Sequence, residues 1–263
     1  MYEREMEEKV REMQISSPTP VEEEEEKYII KEEHEDENII YGENVNALFE
    51  HICDIDKNAK TVCIVGLGGV GGFATESIVR SGVGNVIIVD YDRIDISNLN
   101  RQIISLNSNV GEYKVDVARK RVLDINPICN LVTVKKFIDA SNYLELFDYN
   151  IDYVIDCCDT VSTKMLIIKE CLDRNIKIIS SMGTGNKFHP EMLEIVELKK
   201  TSYDPLAKVI RNKFKDEKRK IMVVCSKEKG VSIKDRTPGS CSLVPNAAGI
   251  MCASFVVNDI LKE

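Results

Sequence analysis

A glycine-rich turn is the first stretch of this sequence with residue types suited to chemistry. Gly66, Gly68 and Gly71 give the spacing G-x-G-x-x-G within GLGGVGG, and Gly69 lies between them. The β-branched run Thr61–Val65 precedes the turn, and helical periodicity follows it. Glycines here let phosphates approach the backbone and the first N–H groups of a helix. Dehydrogenases, methyltransferases and adenylating enzymes share this fingerprint, so it indicates a nucleotide but no particular reaction.

Polar side chains follow the next predicted strand. The strand ends in Asp90, where a nucleotide-binding unit places a carboxylate for the ribose hydroxyls. The loop then reads VDYDRIDISNLNRQI, and GEYK follows. A dehydrogenase does not need this cluster, whereas attack on the α-phosphate of ATP needs cations and fixed donors. Asp159, in DCCDT after another strand, is placed to hold magnesium. The nucleotide-binding candidates in this region are Asp90, Asp92, Asn98, Arg101, Gln102 and Lys114.

Alternating strands and helices would bring these residues to one sheet edge. From Lys60 to Ser181 the predicted elements alternate, which is typical of an α/β, doubly wound, mainly parallel Rossmann-like sheet. The last third is less regular and predicts a C-terminal extension of mixed strands and helices. Its predicted elements are strands Met192–Leu198 and Ile221–Ser226, helix Asp204–Lys215 and helix Asn246–Lys262.

Charge is unevenly distributed along the 263 residues. The first 40 residues carry 15 acidic and 5 basic side chains, a net charge of −10, whereas the whole chain carries −9. The five glutamates Glu22–Glu26 are typical of a solvated, disordered segment. We therefore predict an acidic, disordered tail over residues 1–38 and one nucleotide-binding domain over residues 39–263.

Composition argues against several classes of protein. The nine cysteines include no C-x-x-C pair, which argues against a structural zinc site. Their odd number and irregular spacing predict a reducing compartment, so we expect a cytoplasmic protein. No apolar stretch reaches the roughly 18 residues that cross a membrane, and the charged N-terminus is not a secretory signal. We expect no membrane partner.

The motifs taken together resemble the adenylating superfamily of ThiF, MoeB and the ubiquitin-activating enzymes. GLGGVGG, VDYD, SNLNRQ, VGEYK, INP and DCCDTVSTK carry the resemblance over Gly66–Lys164. It implies an adenylating domain that uses ATP and magnesium and forms a homodimer. By the same resemblance, Arg101 and Lys114 would neutralise charge at the reacting phosphate, and Asp159 would bind the magnesium ion.

The second half is similar to the tRNA threonylcarbamoyladenosine dehydratase branch, through SSMGTGNKFHP, KTSYDPLAKVIR, VVCSKE and GSCSLVPNAAGIMCASFVV. This resemblance implies ATP-dependent activation of the threonine carboxylate on a modified tRNA adenosine. Attack within the threonylcarbamoyl group would then close a hydantoin-like ring, with AMP and pyrophosphate leaving. tRNA would be a partner, and a sulfur-transfer or electron-transfer protein a further one.

A basic stretch provides a candidate tRNA surface. Lys199–Lys220 contains nine basic and three acidic residues, and phosphate contacts supply most non-specific affinity for nucleic acids. We expect Lys208, Arg211 and Lys215 to lie along one helix face and contact tRNA. Lys187, in GTGNK, is a further candidate.

Other functions stay open from the residues alone. An activator of a ubiquitin-like or sulfur-carrier C-terminus would need an acceptor groove and a reactive cysteine. Cys225 lies where ubiquitin-activating enzymes place theirs, but we interpret it as a strand residue. A non-catalytic nucleotide-binding scaffold would not need Arg101, Lys114 and Asp159, and a dehydrogenase would need a catalytic constellation that is missing. The family usually has an arginine in the stretch before the first strand. The corresponding stretch here, HEDENIIYG, contains none.

Overall fold

The structure, a computed structural model, describes residues 60–231 and 239–262. The predicted acidic tail, a predicted helix over Ile39–Ile55 and the HEDENIIYG stretch lie outside the described residues.

Seven strands of the described chain form one sheet in the order β3-β2-β1-β4-β5-β7-β6. Neighbouring strands are parallel except for β6, which pairs antiparallel with β7 at one edge. The predicted doubly wound sheet and its mixed C-terminal extension are confirmed. The strands are β1 (Thr61–Val65), β2 (Asn85–Val89), β3 (Asn130–Val134), β4 (Tyr153–Asp156), β5 (Lys177–Ser181), β6 (Leu193–Glu197) and β7 (Met222–Ser226).

Helices cover both faces of this sheet. Successive side chains of a strand point to opposite faces, so β1 contributes Val62 and Ile64 to one core, and Cys63 and Val65 to the other. The first core packs against α1, α2 and α5, and the second against α3 and α4. The helices are α1 (Gly69–Arg80), α2 (Lys114–Ile125), α3 (Val161–Asp173), α4 (Pro205–Lys213) and α5 (Leu243–Ile260).

Helix α5 is the one helix of the described chain that is long and apolar enough to cross a membrane, with a mean hydropathy of 1.4 over 18 residues. The expectation that no apolar stretch reaches this length is therefore wrong for α5. Ala248, Gly249 and Cys252 are buried in the core. A Cβ on Gly249 would lie 2.1 Å from the carbonyl oxygen of Val70 in α1. Tight packing of small residues against α1 therefore accounts for its apolar character.

Candidate functional site

A cleft of about 480 Å³ lies at the carboxyl ends of β1, β2, β4 and β5. From β1 the strand order runs one way to β2 and β3 and the other way to β4 and β5. Open α/β sheets bind ligands at the point where the strand order reverses in this way. The volume lies in the range of small-molecule sites. Its walls include the predicted residues Gly66, Gly68, Gly69, Asp90, Asp92, Asn98, Arg101, Gln102, Lys114 and Asp159.

The glycine turn is built so that no larger residue fits at its closest approach. Gly66 has φ +90°, and its N–H donates to the Val89 carbonyl at 2.8 Å. A Cβ on Gly71 would lie 1.7 Å from the Gly66 carbonyl oxygen. Helix α1 therefore starts directly above β1, with Gly68 as its N-cap and no side chain of the described residues capping it. The first N–H groups of α1 remain available to an anion, as predicted for a phosphate site.

Asp90 joins the glycine turn to the loop after β2. Its Oδ2 accepts the Leu67 N–H at 2.6 Å, and its Oδ1 accepts the Asp92 N–H at 2.8 Å. Burial raises the pKa of this carboxyl, although the Lys114 charge opposes the effect. Each carboxylate oxygen keeps a lone pair for another donor. Asp90 can thus hold the turn in place and still accept a ribose hydroxyl.

Lys114 places a positive charge in the wall of the cleft. It begins α2, only 5% of it is exposed, and its Nζ lies 2.8 Å from Asp92 Oδ2. Its N–H also donates to the Asp92 carbonyl at 3.0 Å, which fixes where α2 begins. A buried ammonium with one carboxylate partner has donors left for a phosphate oxygen.

The loop after β2 folds so that three predicted residues reach the cleft. Asn98 Oδ1 accepts the Asp95 N–H at 3.1 Å, and the Asn98 carbonyl accepts the N–H groups of Arg101 and Gln102. The Arg101 Nη1 donates to the Ser97 carbonyl at 2.8 Å. Asn98 and Gln102 are buried, while Arg101 is half-buried at the cleft wall. A guanidinium in this position can turn toward a phosphate.

Asp159 lies in the turn between β4 and α3 and is exposed. Its Oδ1 accepts a long hydrogen bond from Thr160 Oγ1 at 3.5 Å, which leaves the carboxylate open to a cation. Magnesium keeps several waters and takes one or two carboxylates together with substrate phosphates. Asp159 fits this chemistry. Among residues 60–231 and 239–262, no cluster of three or more metal-binding side chains occurs.

A buried ion pair joins β4 to α3 and supports the turn between them. Lys164 Nζ lies 2.7 Å from Asp156 Oδ2, and neither side chain is exposed. The same ammonium donates to Ser180 Oγ at 3.1 Å and to the Ser181 carbonyl at 3.1 Å. Asp156 Oδ1 also accepts the Cys158 N–H at 3.2 Å. Burial lowers the pKa of Lys164, but Asp156 outweighs it and holds the pKa above its usual value.

Two aromatic residues of the cleft were not predicted from the sequence. Tyr91 and Phe137 both line it, with their rings edge to face at a centroid distance of 4.7 Å and an angle of 81°. Tyr91 lies between Asp90 and Asp92, which are both predicted site residues, and this position is the signal that could have identified it. Phe137 follows β3, whose end carries no motif.

The cleft also takes residues from the C-terminal segment. Ser240 and Pro245 line it, and the Ser240 carbonyl accepts a hydrogen bond from Asn100 Nδ2 at 2.8 Å. Pro245 packs against the glycine turn, since a Cβ on Gly69 would lie 3.2 Å from its Cβ. The start of α5 therefore closes the phosphate end of the site.

The predicted tRNA residues separate into different environments. Lys208 is exposed on α4, whereas Arg211 is half-buried and donates from Nη1 to the Thr201 carbonyl at 2.8 Å. Lys215 is exposed but lies beyond the end of α4, so the prediction of three cations on one helix face is wrong for it. The helix ends at Lys213, and its C-cap Phe214 has left the helical conformation, with φ −102° and ψ 26°.

Lys187 is not part of an exposed basic surface. Its Nζ lies 2.9 Å from Asp204 Oδ2 and donates to the Gly183 carbonyl at 2.6 Å. Only 4% of Lys187 is exposed. We therefore correct the expectation for Lys187: its charge ties the loop after β5 to the N-terminus of α4.

A family model described as the ThiF family matches residues 49–262. The chain belongs to the ThiF family. It is 41% identical over 223 residues to the tRNA threonylcarbamoyladenosine dehydratase of Bacillus subtilis, covering 78% of this chain and 88% of that protein. It is 33% identical over 215 residues to the Escherichia coli protein of the same name, covering 81% and 76% of the two chains.

A solved structure agrees with this ThiF-family assignment. The crystal structure of E. coli tRNA N6-threonylcarbamoyladenosine dehydratase in complex with ATP has a TM-score of 0.76 and 28% identity to this chain. The match covers 85% of this chain and 98% of that one. The superfamily and branch that the motifs predicted are therefore confirmed.

Cys225, a candidate thioester residue in a ThiF-family protein, lies within β7 and is 3% exposed. Burial raises the pKa of its thiol to about 11, and the thiolate is the nucleophilic form. The interpretation of Cys225 as a strand residue is confirmed.

Proposed function

We propose that this protein is an ATP-dependent dehydratase acting on threonylcarbamoyladenosine in tRNA. The observation that carries the proposal is the cleft, which gathers the glycine turn, Asp90, Arg101, Lys114 and Asp159. Such a set suits attack on an α-phosphate, which needs fixed donors and cations. Relatives named for this dehydratase match most of the chain.

In the proposed reaction, a threonine carboxylate oxygen attacks the α-phosphorus of ATP and pyrophosphate leaves. Attack within the threonylcarbamoyl group on the activated carbonyl carbon then closes the ring. AMP leaves with the former carboxylate oxygen, so the nucleoside loses one water in total. Lys114 and Arg101 stabilise negative charge at the α-phosphate, the N–H groups of α1 bind phosphate oxygens, and Asp90 accepts the ribose hydroxyls.

Magnesium belongs to the proposal as a cofactor, held by Asp159 and the phosphates of ATP. It would offset charge on the pyrophosphate leaving group. Asp159 supports this role because its carboxylate is exposed in the cleft, where it accepts a hydrogen bond from Thr160 Oγ1.

The proposed tRNA surface starts at the mouth of the cleft. Leu206, in the first turn of α4, lines the cleft, and Lys208 is exposed two residues later. Lys213, Lys215 and Lys218 are exposed as well, and no ion pair to the described residues is recorded for these four lysines. These four lysines can therefore bind phosphates without breaking an ion pair recorded within the described chain.

A homodimer and a cytoplasmic location are part of the same proposal. Large apolar side chains that are exposed on the described part of the chain are available to be buried in such a dimer. They are Ile96, Leu106, Val110, Leu243 and Ile250. The eight cysteines of the described residues are free, which suits a reducing compartment.

The alternative, activation of a ubiquitin-like or sulfur-carrier protein, uses the same first step. A thioester route would need an accessible thiolate, and the buried Cys225 does not supply one. A carrier that accepts no thioester would share the ATP chemistry, so a product assay has to separate the two functions.

The test incubates the protein with ATP and bulk tRNA and measures nucleosides by mass spectrometry. We expect threonylcarbamoyladenosine to lose the mass of one water, with AMP formed in equal amount. Asp159→Asn and Arg101→Ala should each lower turnover by about 10²–10³, the usual effect of losing a transition-state contact. Near-normal AMP release by either variant, or an unchanged nucleoside with the wild type, contradicts the proposal.

The tRNA surface has its own test. Lys208→Glu combined with Lys215→Glu should weaken tRNA binding and flatten its salt dependence, since each lost phosphate contact lowers the log–log slope by about 0.7–0.9. The control reverses the same number of exposed charges on α2, by Arg119→Glu combined with Lys120→Glu, although Lys120 also pairs with Glu112. ATP binding should persist in both variants. A salt slope that is the same in the Lys208→Glu, Lys215→Glu variant and the control would show that tRNA binds elsewhere.

A further inference from the structure

We propose that Tyr203 stacks on an unpaired base of the tRNA at the mouth of the cleft, so that the adjoining loop receives the modified nucleotide. This inference rests on the proposed function and names the residue that would hold the RNA strand. The observations that carry it are the backbone and exposure of Tyr203, the residues that fix it and the cation over its ring.

Tyr203 is an exposed aromatic residue in an unusual conformation. Its side chain is 59% exposed, and its φ is +55°. The left-handed region is uncommon for residues other than glycine, asparagine and aspartate, and a bulky residue there is a clear outlier. Such outliers persist where the surrounding structure fixes them, and they cluster at functional sites. Glycine or asparagine would satisfy this backbone better, so the backbone alone does not explain a tyrosine.

Buried residues on both sides hold Tyr203 in place. Thr201 is buried, and its Oγ1 donates to the Leu198 carbonyl at 2.7 Å. Asp204 is buried, caps α4 by accepting the Ala207 N–H at 2.8 Å, and pairs with Lys187 at 2.9 Å. The turn between these two fixed residues projects the ring into solvent. Because the turn is held rigidly, less conformational entropy is lost when the ring binds a ligand.

The residues around Tyr203 connect it to the cleft. A Cβ on Gly183 would lie 3.0 Å from Asp204 Oδ2, and Gly183 lines the cleft. Lys229 Nζ lies 5.0 Å from the centroid of the Tyr203 ring. The next residue, Gly230, packs against Asn186, because a Cβ there would lie 3.2 Å from the Asn186 carbonyl oxygen. Tyr203 and Lys229 therefore both border the loop that closes one side of the cleft.

The chemistry of this surface fits single-stranded RNA. Proteins hold unpaired bases by stacking them on aromatic rings beside cations that contact the phosphates. Tyr203 offers the ring face, Lys229 lies above it, and Lys208 continues the positive charge along α4. An apolar peptide would use the ring but not the cations. The surface also continues directly from the cleft in which the tRNA substrate would react.

The backbone of Tyr203 allows a clean test. Tyr203→Asn removes the ring and places a residue that tolerates positive φ, so the variant should be at least as stable as the wild type. Tyr203→Phe keeps the ring. Tyr149→Asn is the matched control, because Tyr149 is an exposed tyrosine that precedes β4, at the opposite edge of the sheet from the cleft.

The measurement is the dissociation constant for bulk tRNA, by fluorescence anisotropy at several salt concentrations. We expect Tyr203→Asn to weaken binding by about 5- to 100-fold, the usual effect of losing one stacked base, with an unchanged salt slope. Tyr203→Phe and Tyr149→Asn should bind as the wild type does. Tyr203→Gly, which suits the same φ, should reproduce the asparagine result and exclude a defect peculiar to one side chain.

The result separates this inference from the proposed function. If the wild type binds tRNA and dehydrates it, while Tyr203→Asn and Tyr203→Gly keep normal affinity, the stacking role is wrong and the proposed function stands. If the wild type neither binds nor dehydrates tRNA, the proposed function itself fails. Equal weakening by Tyr149→Asn would also overturn the inference, because the effect would not depend on this surface.

Discussion

Replacing Lys164 by methionine should strongly destabilise the protein. The substitution leaves the Asp156 carboxylate buried, with Ser180 Oγ at 2.6 Å but without its cation. Breaking a fully buried ion pair by removing one partner typically costs about 3–5 kcal/mol. Domains are stable by only about 5–15 kcal/mol, so this loss is a large part of the total.

The same helix offers a matched control. Lys169 also pairs with an aspartate, Asp173, but both side chains are largely exposed. Lys169→Met should cost less than about 1 kcal/mol, as exposed pairs do. The contrast between the two variants therefore isolates burial, since both remove a lysine from α3 and add the same methionine.

The assay is urea unfolding followed by circular dichroism, with linear extrapolation to zero denaturant. A double variant, Lys164→Met with Asp156→Leu, removes both charges and should recover much of the loss, because a buried pair is often replaceable by apolar residues. If Lys164→Met costs no more than Lys169→Met, the pair is not buried as described. If the double variant is no better than the single one, the cost lies in packing and the electrostatic reasoning is wrong.

Three further outcomes follow from particular contacts. Gly71→Ala should abolish ATP binding, because its Cβ would lie 1.7 Å from a carbonyl oxygen. Gly68→Ala should still fold normally, because the nearest neighbour of its Cβ would lie 3.9 Å away. Isothermal titration with ATP and an unfolding measurement check both variants. Burial would raise the pKa of Glu76, but Arg121 and Arg80 lower it below 4.5. The stability that ionised Glu76 adds to the folded protein is therefore fully present above pH 4.5, and it is lost as the pH falls through the lowered pKa. Glu76→Gln should flatten that acid limb of the stability curve, and an unchanged limb would contradict it. Removing residues 1–38, which carry a net charge of −10 in a chain whose total is −9, should leave a folded ATP-binding protein and tighten tRNA binding at low salt. Loss of ATP affinity would contradict it.

The phosphate end of the site was predictable because each residue there obeys a local rule. A glycine at position 71 is required by a close approach, and Asp90 follows from the end of β2 in a parallel sheet. The carboxyl ends of neighbouring parallel strands lie side by side, whatever structure the chain between the strands adopts. For that reason Asp159 could be placed beside the glycine turn without any knowledge of α3.

The residues that the sequence analysis misjudged depend on pairings across the fold. Lys187 and Asp204 are 17 positions apart, and nothing in either local sequence indicates that they form a buried pair. The expectation that Lys187 contacts tRNA therefore did not account for this pairing. The predicted extent of the helix Asp204–Lys215 was also wrong, since Lys215 continues the periodicity but the helix ends at Lys213.

Tyr203 shows the limit of sequence reasoning most clearly. Positive φ is expected at glycine, asparagine or aspartate, so a tyrosine in KTSYDP gives no signal of it. Thr201 and Asp204, on either side, are buried and hydrogen-bonded, so the path of the chain through Tyr203 is fixed at both ends. A chain that needed this path alone would have been served better by asparagine. The tyrosine is therefore best explained by what its exposed ring can bind, which is the reason for testing it with the asparagine that the backbone would prefer.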